Sequence, residues 1–217
     1  MKRKKKMGSH LGAFSSGDSL GGKVSHYRNK QNIYTQGAPA QTLFYIQEGG
    51  VRLITRSKHR PSAVTTILGV NDFFGELCLA GYPFRMSTAV ALTASSIRTI
   101  KKEKMLQMLR NTNKTSNSLV AYLLSRVKYY QEHVADLLTS SAEQRLARVL
   151  LRLAHLDRSG PAVVEIPIVS HQILAEMVGT TRPRVNFFVN QFRKDGFISY
   201  DGGLEVRQSL RKVLLSS

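Results

Sequence analysis

The chain has 217 residues, 42% of them apolar, which suffices for one large domain or two modest ones and excludes global disorder. Its 32 Lys and Arg against 14 Asp and Glu give a formal net charge of +18. An excess of that size favours a polyanionic partner, nucleic acid ahead of an anionic membrane surface. Cys78 is the only cysteine, so an intrachain disulfide is excluded, as is an iron–sulfur cluster held by several thiolates of one chain.

The basic start is followed by Gly8, Ser9 and His10 and not by an apolar run, so no secretory signal is expected. No stretch of about 18 apolar residues exists, so no membrane partner is expected and the cytoplasm is the expected location. Residues 1–25 are rich in Gly, Ser and Lys without periodicity and read as a flexible basic arm. The chemistry expected of Lys2-Arg3-Lys4-Lys5-Lys6 is sequence-independent attraction to phosphate. Gly17 with Gly22-Lys23 mimics a phosphate-binding loop. Val24 stands where a magnesium-binding hydroxyl is needed, however, and no apolar strand precedes it.

From about Ile33 to Ile100 the pattern is short strands with Gly-bearing turns. Leu43 to Ile46, Val51 to Ile54, Val64 to Leu68 and Ser87 to Thr93 are separated by Gly49-Gly50, by Gly69 and by Asp72-Phe73-Phe74-Gly75. Many short strands at near-regular spacing predict an antiparallel barrel or sandwich.

After about Asn111 the period becomes helical. Val120, Leu123, Val127, Tyr130, Val134 and Leu137 follow at spacings that alternate between three and four, a heptad seam across residues 111–138. Such a stripe packs either on a parallel copy of itself, giving a dimer, or on its own domain. Ser140 to Leu156 predicts another helix, broken at Ser159-Gly160-Pro161, and Val163 to Ile168 reads as a short strand interrupted by Pro167.

Ser170 to Phe197 carries the clearest functional signal. Ser170 caps a short helix from His171 to Met177, Gly179 supplies the turn, and Thr181 caps a second helix with Pro183 in its first turn. Val185, Phe188, Val189 and Phe192 form the inner face of that helix, while Arg182, Arg184, Asn186 and Phe187 lie off it. Arginines near a helix N-terminus reach guanine edges and phosphates in the major groove of double-stranded DNA. Phe197 to Val206, around Asp201-Gly202-Gly203, then predicts a hairpin wing. Ser170, His171, Thr181, Arg182, Pro183, Arg184, Asn186 and Phe187 are therefore the expected DNA-contacting residues.

With these elements in place the chain, from about Tyr34 to its end, resembles the cyclic-AMP receptor/FNR (Crp/Fnr) family of bacterial transcription factors. The likeness rests on Phe74-Gly75-Glu76-Leu77 with Arg85 downstream, the heptad helix, and Ala175-Glu176-Met177-Val178-Gly179-Thr180-Thr181-Arg182. It implies an α+β fold: an N-terminal antiparallel β-roll of the cyclic-nucleotide-binding type (26–110), a dimerisation helix (111–138) and a C-terminal winged helix-turn-helix (139–217). It also implies a homodimer on a palindromic operator, with RNA polymerase as a partner.

For ligand binding, the resemblance implies Gly75, Glu76, Leu77, Arg85, Met86 and Ser87 as the site, Glu76 on a ribose and Arg85 on a cyclic phosphate. The other reading is an ion pair between Glu76 and Arg85 inside the roll. Met86 replaces a phosphate-facing hydroxyl, and Tyr130-Gln131 aligns with the purine-contacting Thr-Ser pair of the cyclic-AMP members. Each lost hydrogen bond to a buried ligand costs about 1–3 kcal/mol, so cyclic-AMP control is disfavoured and no cofactor is expected. No spacing among His26, His59, His133 and Cys78 suggests a haem or metal site.

The resemblance also places Pro183 and Phe187 where the prototype reads bases with Glu and Arg. Proline accepts no hydrogen bond from cytosine, and a phenyl ring touches only a thymine methyl, so a different operator is expected. No Ser/His/Asp order, paired carboxylates or metal-ligand spacing points to an enzyme. The alternative reading is a cyclic-nucleotide-sensing module that acts on a protein partner, which leaves the basic helix and hairpin unexplained.

Overall fold

The computed structural model describes residues 20–56, 62–154, 162–166, 169–200 and 203–215. The basic run at 2–6, Asp201-Gly202 of the expected wing turn, Pro167 and His59 lie outside the described residues. The chain divides into two compact units, Met1–Tyr130 and Gln131–Ser217.

Among its described residues the first unit is built on eight antiparallel strands in two four-stranded sheets. β1 (Lys23–Tyr27), β8 (Ser95–Lys101), β3 (Thr42–Glu48) and β6 (Phe73–Phe74) form one, in that order. The other runs β2 (Asn32–Tyr34), β7 (Thr88–Ala91), β4 (Val51–Thr55) and β5 (Ala63–Leu68). Alternation explains how they stack. Phe44 and Ile46 of β3 point to the interior shared with Val51, Leu68, Phe74, Ala89 and Ile97 of both sheets. Leu43 and Tyr45 point to the opposite face, which is also covered: Ile100, Met105, Leu119 and Tyr122 pack there. A strand buried on both faces reads as the continuous apolar run Leu43 to Ile46 and not as an alternating one.

Two helices supply that second cover, α1 (Lys102–Asn111) through Met105 and α2 (Asn113–Thr139) through Leu119 and Tyr122. The Tyr122 hydroxyl is buried against β6, where it accepts from the Phe73 amide at 2.9 Å and donates to the Phe73 carbonyl at 2.9 Å. Burial pushes this phenol far above its ordinary pKa, so it stays protonated and keeps its donor.

The arm expected over 1–25 ends earlier than its composition implies. Leu20 is fully buried in the core beneath α1 and α2, and Lys23, Val24 and Ser25 pair with Thr99, Arg98 and Ile97 as an edge strand. Edge strands are paired on one side only and accept Lys and Ser, so their sequence need not show apolar alternation.

In the second unit, α3 (Ala142–Leu153) opens with a capping box, Ser141 accepting from the Gln144 amide and Gln144 returning the bond. α4 (His171–Val178) and α5 (Arg182–Lys194) follow. β9 (Val163–Ile166), β10 (Ile198–Ser199) and β11 (Leu204–Arg207) form a three-stranded antiparallel sheet with β11 central. The wing is thus wider than the hairpin expected from the turn at 201–203, because β9 pairs with β11 from Val163↔Arg207 to Ile166↔Leu204. Leu146, Leu150, Leu174, Val185, Val189, Phe192, Ile198 and Val206 share one core.

Candidate DNA interface and ligand pocket

The two helices of the candidate DNA interface are held at their termini by local chemistry. The Ser170 hydroxyl accepts from the Ile173 amide at 3.3 Å, and His171, half-buried, opens α4. Gly179 ends α4 at φ 68°, in the left-handed region that only glycine enters without strain. Thr181 occupies the N-cap of α5 with extended backbone, but its hydroxyl makes no cap hydrogen bond, contrary to the sequence expectation. Pro183 is in the first turn and has no N–H to satisfy, so α5 needs less from its cap.

On α5, Val185, Val189 and Phe192 are buried, and Phe188 packs beside them. Arg182, Pro183, Arg184, Asn186 and Phe187 are all exposed in the first half of the helix. No acidic residue sits in that first turn, whereas the last turn holds Arg193 and Lys194. The structure therefore brings together five of the predicted contacts on one surface, with open amides and two guanidiniums at a helix N-terminus. That arrangement attracts phosphate and carries donors for base edges. Asn190, one turn beyond Asn186 and not singled out from the sequence, is half-buried, and the 100° rotation per residue places it on the outward side as well.

In the first unit the six residues of the predicted ligand site, Gly75, Glu76, Leu77, Arg85, Met86 and Ser87, all line one cavity of about 180 Å³. Tyr34, Leu53, Thr65 and Tyr130 are among the further residues that line it and were not in the expected set for this site. Arg85 is only 6% exposed. It donates to the Gly75 carbonyl at 3.3 Å and to the Thr42 hydroxyl at 2.9 Å, while its Nε has no hydrogen-bond partner. The Tyr34 ring lies 4.5 Å from the guanidinium carbon and the Phe44 ring 5.1 Å.

Arg85 is thus held by a carbonyl, a hydroxyl and two aromatic faces, and the ion pair with Glu76 considered from the sequence is not formed. Cation–π contacts let an arginine sit in a desolvated site with no carboxylate in direct contact. Burial lowers its pKa from the usual arginine value and raises that of Tyr34 to about 12, so both keep their ordinary charge at neutral pH.

Gly75 is needed at this point. Its φ is 76°, and a Cβ there would fall 2.5 Å from Arg85 Nη1. Gly75→Ala is expected to cost at least the roughly 1–2 kcal/mol of a left-handed alanine, with more from displacing Arg85. Urea unfolding of the first unit checks this, and an unchanged midpoint would remove the constraint.

The heptad positions of α2 divide. Val120, Val127, Val134 and Leu137 are exposed, as are Leu124 and Leu138, and Tyr130 is nearly two-thirds covered. Leu123, also expected in the seam, is half-buried and packs on the core of its own unit beside Leu119 and Tyr122. Leu124 takes the outward place. Tyr130 also turns inward, its hydroxyl accepting from Thr66 at 3.1 Å and from Arg126. Cys78 is fully buried and burial raises its thiol pKa, which fits an inert core side chain.

No helix among the described residues is long and apolar enough to cross a membrane.

Comparison with known proteins gives this geometry its setting. Residues 24–112 match the family model for the cyclic nucleotide-binding domain and residues 144–212 that for the Crp-like helix-turn-helix domain. The chain is 26% identical over 172 residues to the CRP-like cAMP-activated global transcriptional regulator of Mycobacterium tuberculosis, covering 78% of this chain and 77% of that protein. It is 27% identical over 182 residues to the cAMP-activated global transcriptional regulator CRP of Escherichia coli O157:H7, covering 82% and 86%. Among solved structures, FixK2 from Bradyrhizobium japonicum superposes with a TM-score of 0.77 at 19% identity, over 89% of this chain and 96% of that one. A helix-turn-helix carrying the exposed arginines speaks for DNA and against a nucleotide module serving a protein partner. The chain belongs to the Crp/Fnr family of DNA-binding transcription regulators, with a β-roll of the cyclic-nucleotide-binding type followed by a winged helix-turn-helix.

Proposed function

We propose that the regulator binds a palindromic operator as a homodimer, placing two copies of α5 in successive major grooves roughly 34 Å apart. The observation that carries this is the exposed first half of α5, where Arg182, Arg184 and Asn186 stand on a helix whose other face is locked in a core. The exposed stripe Val120, Leu124, Val127, Val134 and Leu138 is the surface on which a second copy packs. RNA polymerase is the partner that transcription control calls for, the cytoplasm is where both meet, and the protein is a regulator and not an enzyme.

The β-roll is read as working without cyclic AMP or any other cofactor. Tyr34 covers the guanidinium that would hold a cyclic phosphate, and Met86 offers no hydrogen bond where the cyclic-AMP members present a hydroxyl. The cavity of about 180 Å³ also falls short of the roughly 300–1,000 Å³ usual for small-molecule sites.

Selection of bound duplexes from a random DNA pool tests the proposal. The expected result is a palindrome with half-sites one helical turn apart, recovered equally with and without cyclic nucleotides. Binding that has no sequence preference and falls steeply with salt would refute it. On the selected operator Arg182→Ala is expected to lose about 1–3 kcal/mol of binding free energy. Equal titration curves for variant and parent would remove Arg182 from the interface.

A further inference from the structure

We propose that Phe187 selects a base pair carrying a C5-methyl group, so that each half-site holds a thymine at one fixed position. This rests on the DNA-binding reading above and adds to it the chemistry that one side chain recognises.

The first argument is placement. Val185, Val189 and Phe192 fix the inward face of α5, and at 100° per residue Phe187 stands roughly opposite their mean direction. It also lies in the N-terminal half, the part of a recognition helix that enters the groove.

The second argument is exposure. The Phe187 side chain is 64% exposed on the very helix that faces DNA. It does not dangle: its ring meets that of Phe188 edge-on, with centroids 5.5 Å apart and planes at 71°, and Phe188 packs on the core. A propped ring loses little rotamer freedom on binding, so an apolar contact made by it retains most of its value.

The third argument is chemical complementarity. A phenyl ring has no hydrogen-bond donor or acceptor, and the apolar feature that base edges show in the major groove is the thymine C5-methyl. Pro183, one turn earlier on the same outward side, adds a second apolar surface, while Arg182, Arg184 and Asn186 flank it with donors. A protein partner fits less well, because a single ring bordered by two arginines makes no continuous apolar patch.

The test uses the full chain and the selected operator, in which each thymine is replaced in turn by uracil, which lacks only the methyl. At one position per half-site, uracil is expected to weaken binding about fourfold, and about fifteenfold when both half-sites are changed. 5-Methylcytosine is expected to bind better than cytosine there. Phe187→Ala is expected to bind thymine and uracil duplexes equally, while Arg182→Ala keeps the preference. If Phe187→Ala binds too weakly to titrate, Phe187→Leu, which keeps an apolar side chain, is expected to retain part of the discrimination. Indifference of the parent protein to uracil at every position would overturn the proposal, as would undiminished discrimination by Phe187→Ala or none by Phe187→Leu. A pool that enriches no sequence would overturn the DNA-binding reading itself, a separate failure.

Discussion

A chain carrying both Val127→Lys and Val134→Lys is expected to scatter light as a monomer of about 24 kDa and to lose operator binding. Val127 is 50% exposed and Val134 54% exposed, and neither belongs to a buried core cluster, so the variant should stay folded. Lysine is also a good helix former, so α2 itself should persist. In a parallel pair the four valines of two chains would be covered, each worth at least about 1.5 kcal/mol. Losing them costs about 6 kcal/mol, or some four orders of magnitude in the dimer dissociation constant, before the cost of burying lysine charges. A monomer presents one recognition helix, so the affinity of two linked half-sites goes with the dimer. Leu123→Ala is the contrasting variant. Its side chain packs on the β-roll core, so it should lower the melting temperature while light scattering still reports a dimer. A dimer persisting in the double-lysine chain at micromolar concentration would refute the stripe as an interface.

Phe192→Ala is expected to destabilise the second unit by about 3–5 kcal/mol. Phe192 is fully buried, meets the ring of Phe197 at 6.5 Å and lies in the core shared by α3, α4, α5 and the wing. That loss is a large share of the roughly 5–15 kcal/mol by which a domain is stable. Operator binding should therefore fail at physiological temperature although no DNA-facing residue has changed. Thermal unfolding followed by circular dichroism should show the helical second unit melting early, with the β-roll transition left in place. Phe192→Leu, which leaves a smaller void, should recover most of the loss. An unchanged transition for Phe192→Ala would mean that the helices hold together without this side chain.

The helix-turn-helix was legible because its signals are local. A hydroxyl at Ser170, a glycine at Gly179 and a proline at Pro183 each act within a turn of their own position. The same locality explains two misses. Thr181 sits at the N-cap position that its residue type predicts, yet its hydroxyl does not close a bond. Cap propensity states which residue is favoured at the end of a helix, while the bond itself depends on how the first turn is seated. β9 was legible as a strand but not as a part of the wing, because pairing Val163–Ile166 with β11 joins segments about forty residues apart.

Period and charge alone determined that the chain has a strand-rich first part, a long amphipathic helix and a basic reading head, since each is written in the spacing of neighbouring residues. Tertiary structure decided what those spacings could not. On α2 the apolar stripe is wider than one seam, and packing against Leu119 and Tyr122 takes Leu123 inward and leaves Leu124 outside. At Arg85 the chain order suggested Glu76 as a partner, whereas the fold supplies Thr42, the Gly75 carbonyl and the rings of Tyr34 and Phe44. The physical reason is the same in both places. A period fixes which way a side chain leaves its own element, but its partners come from other elements, and only packing brings those to it.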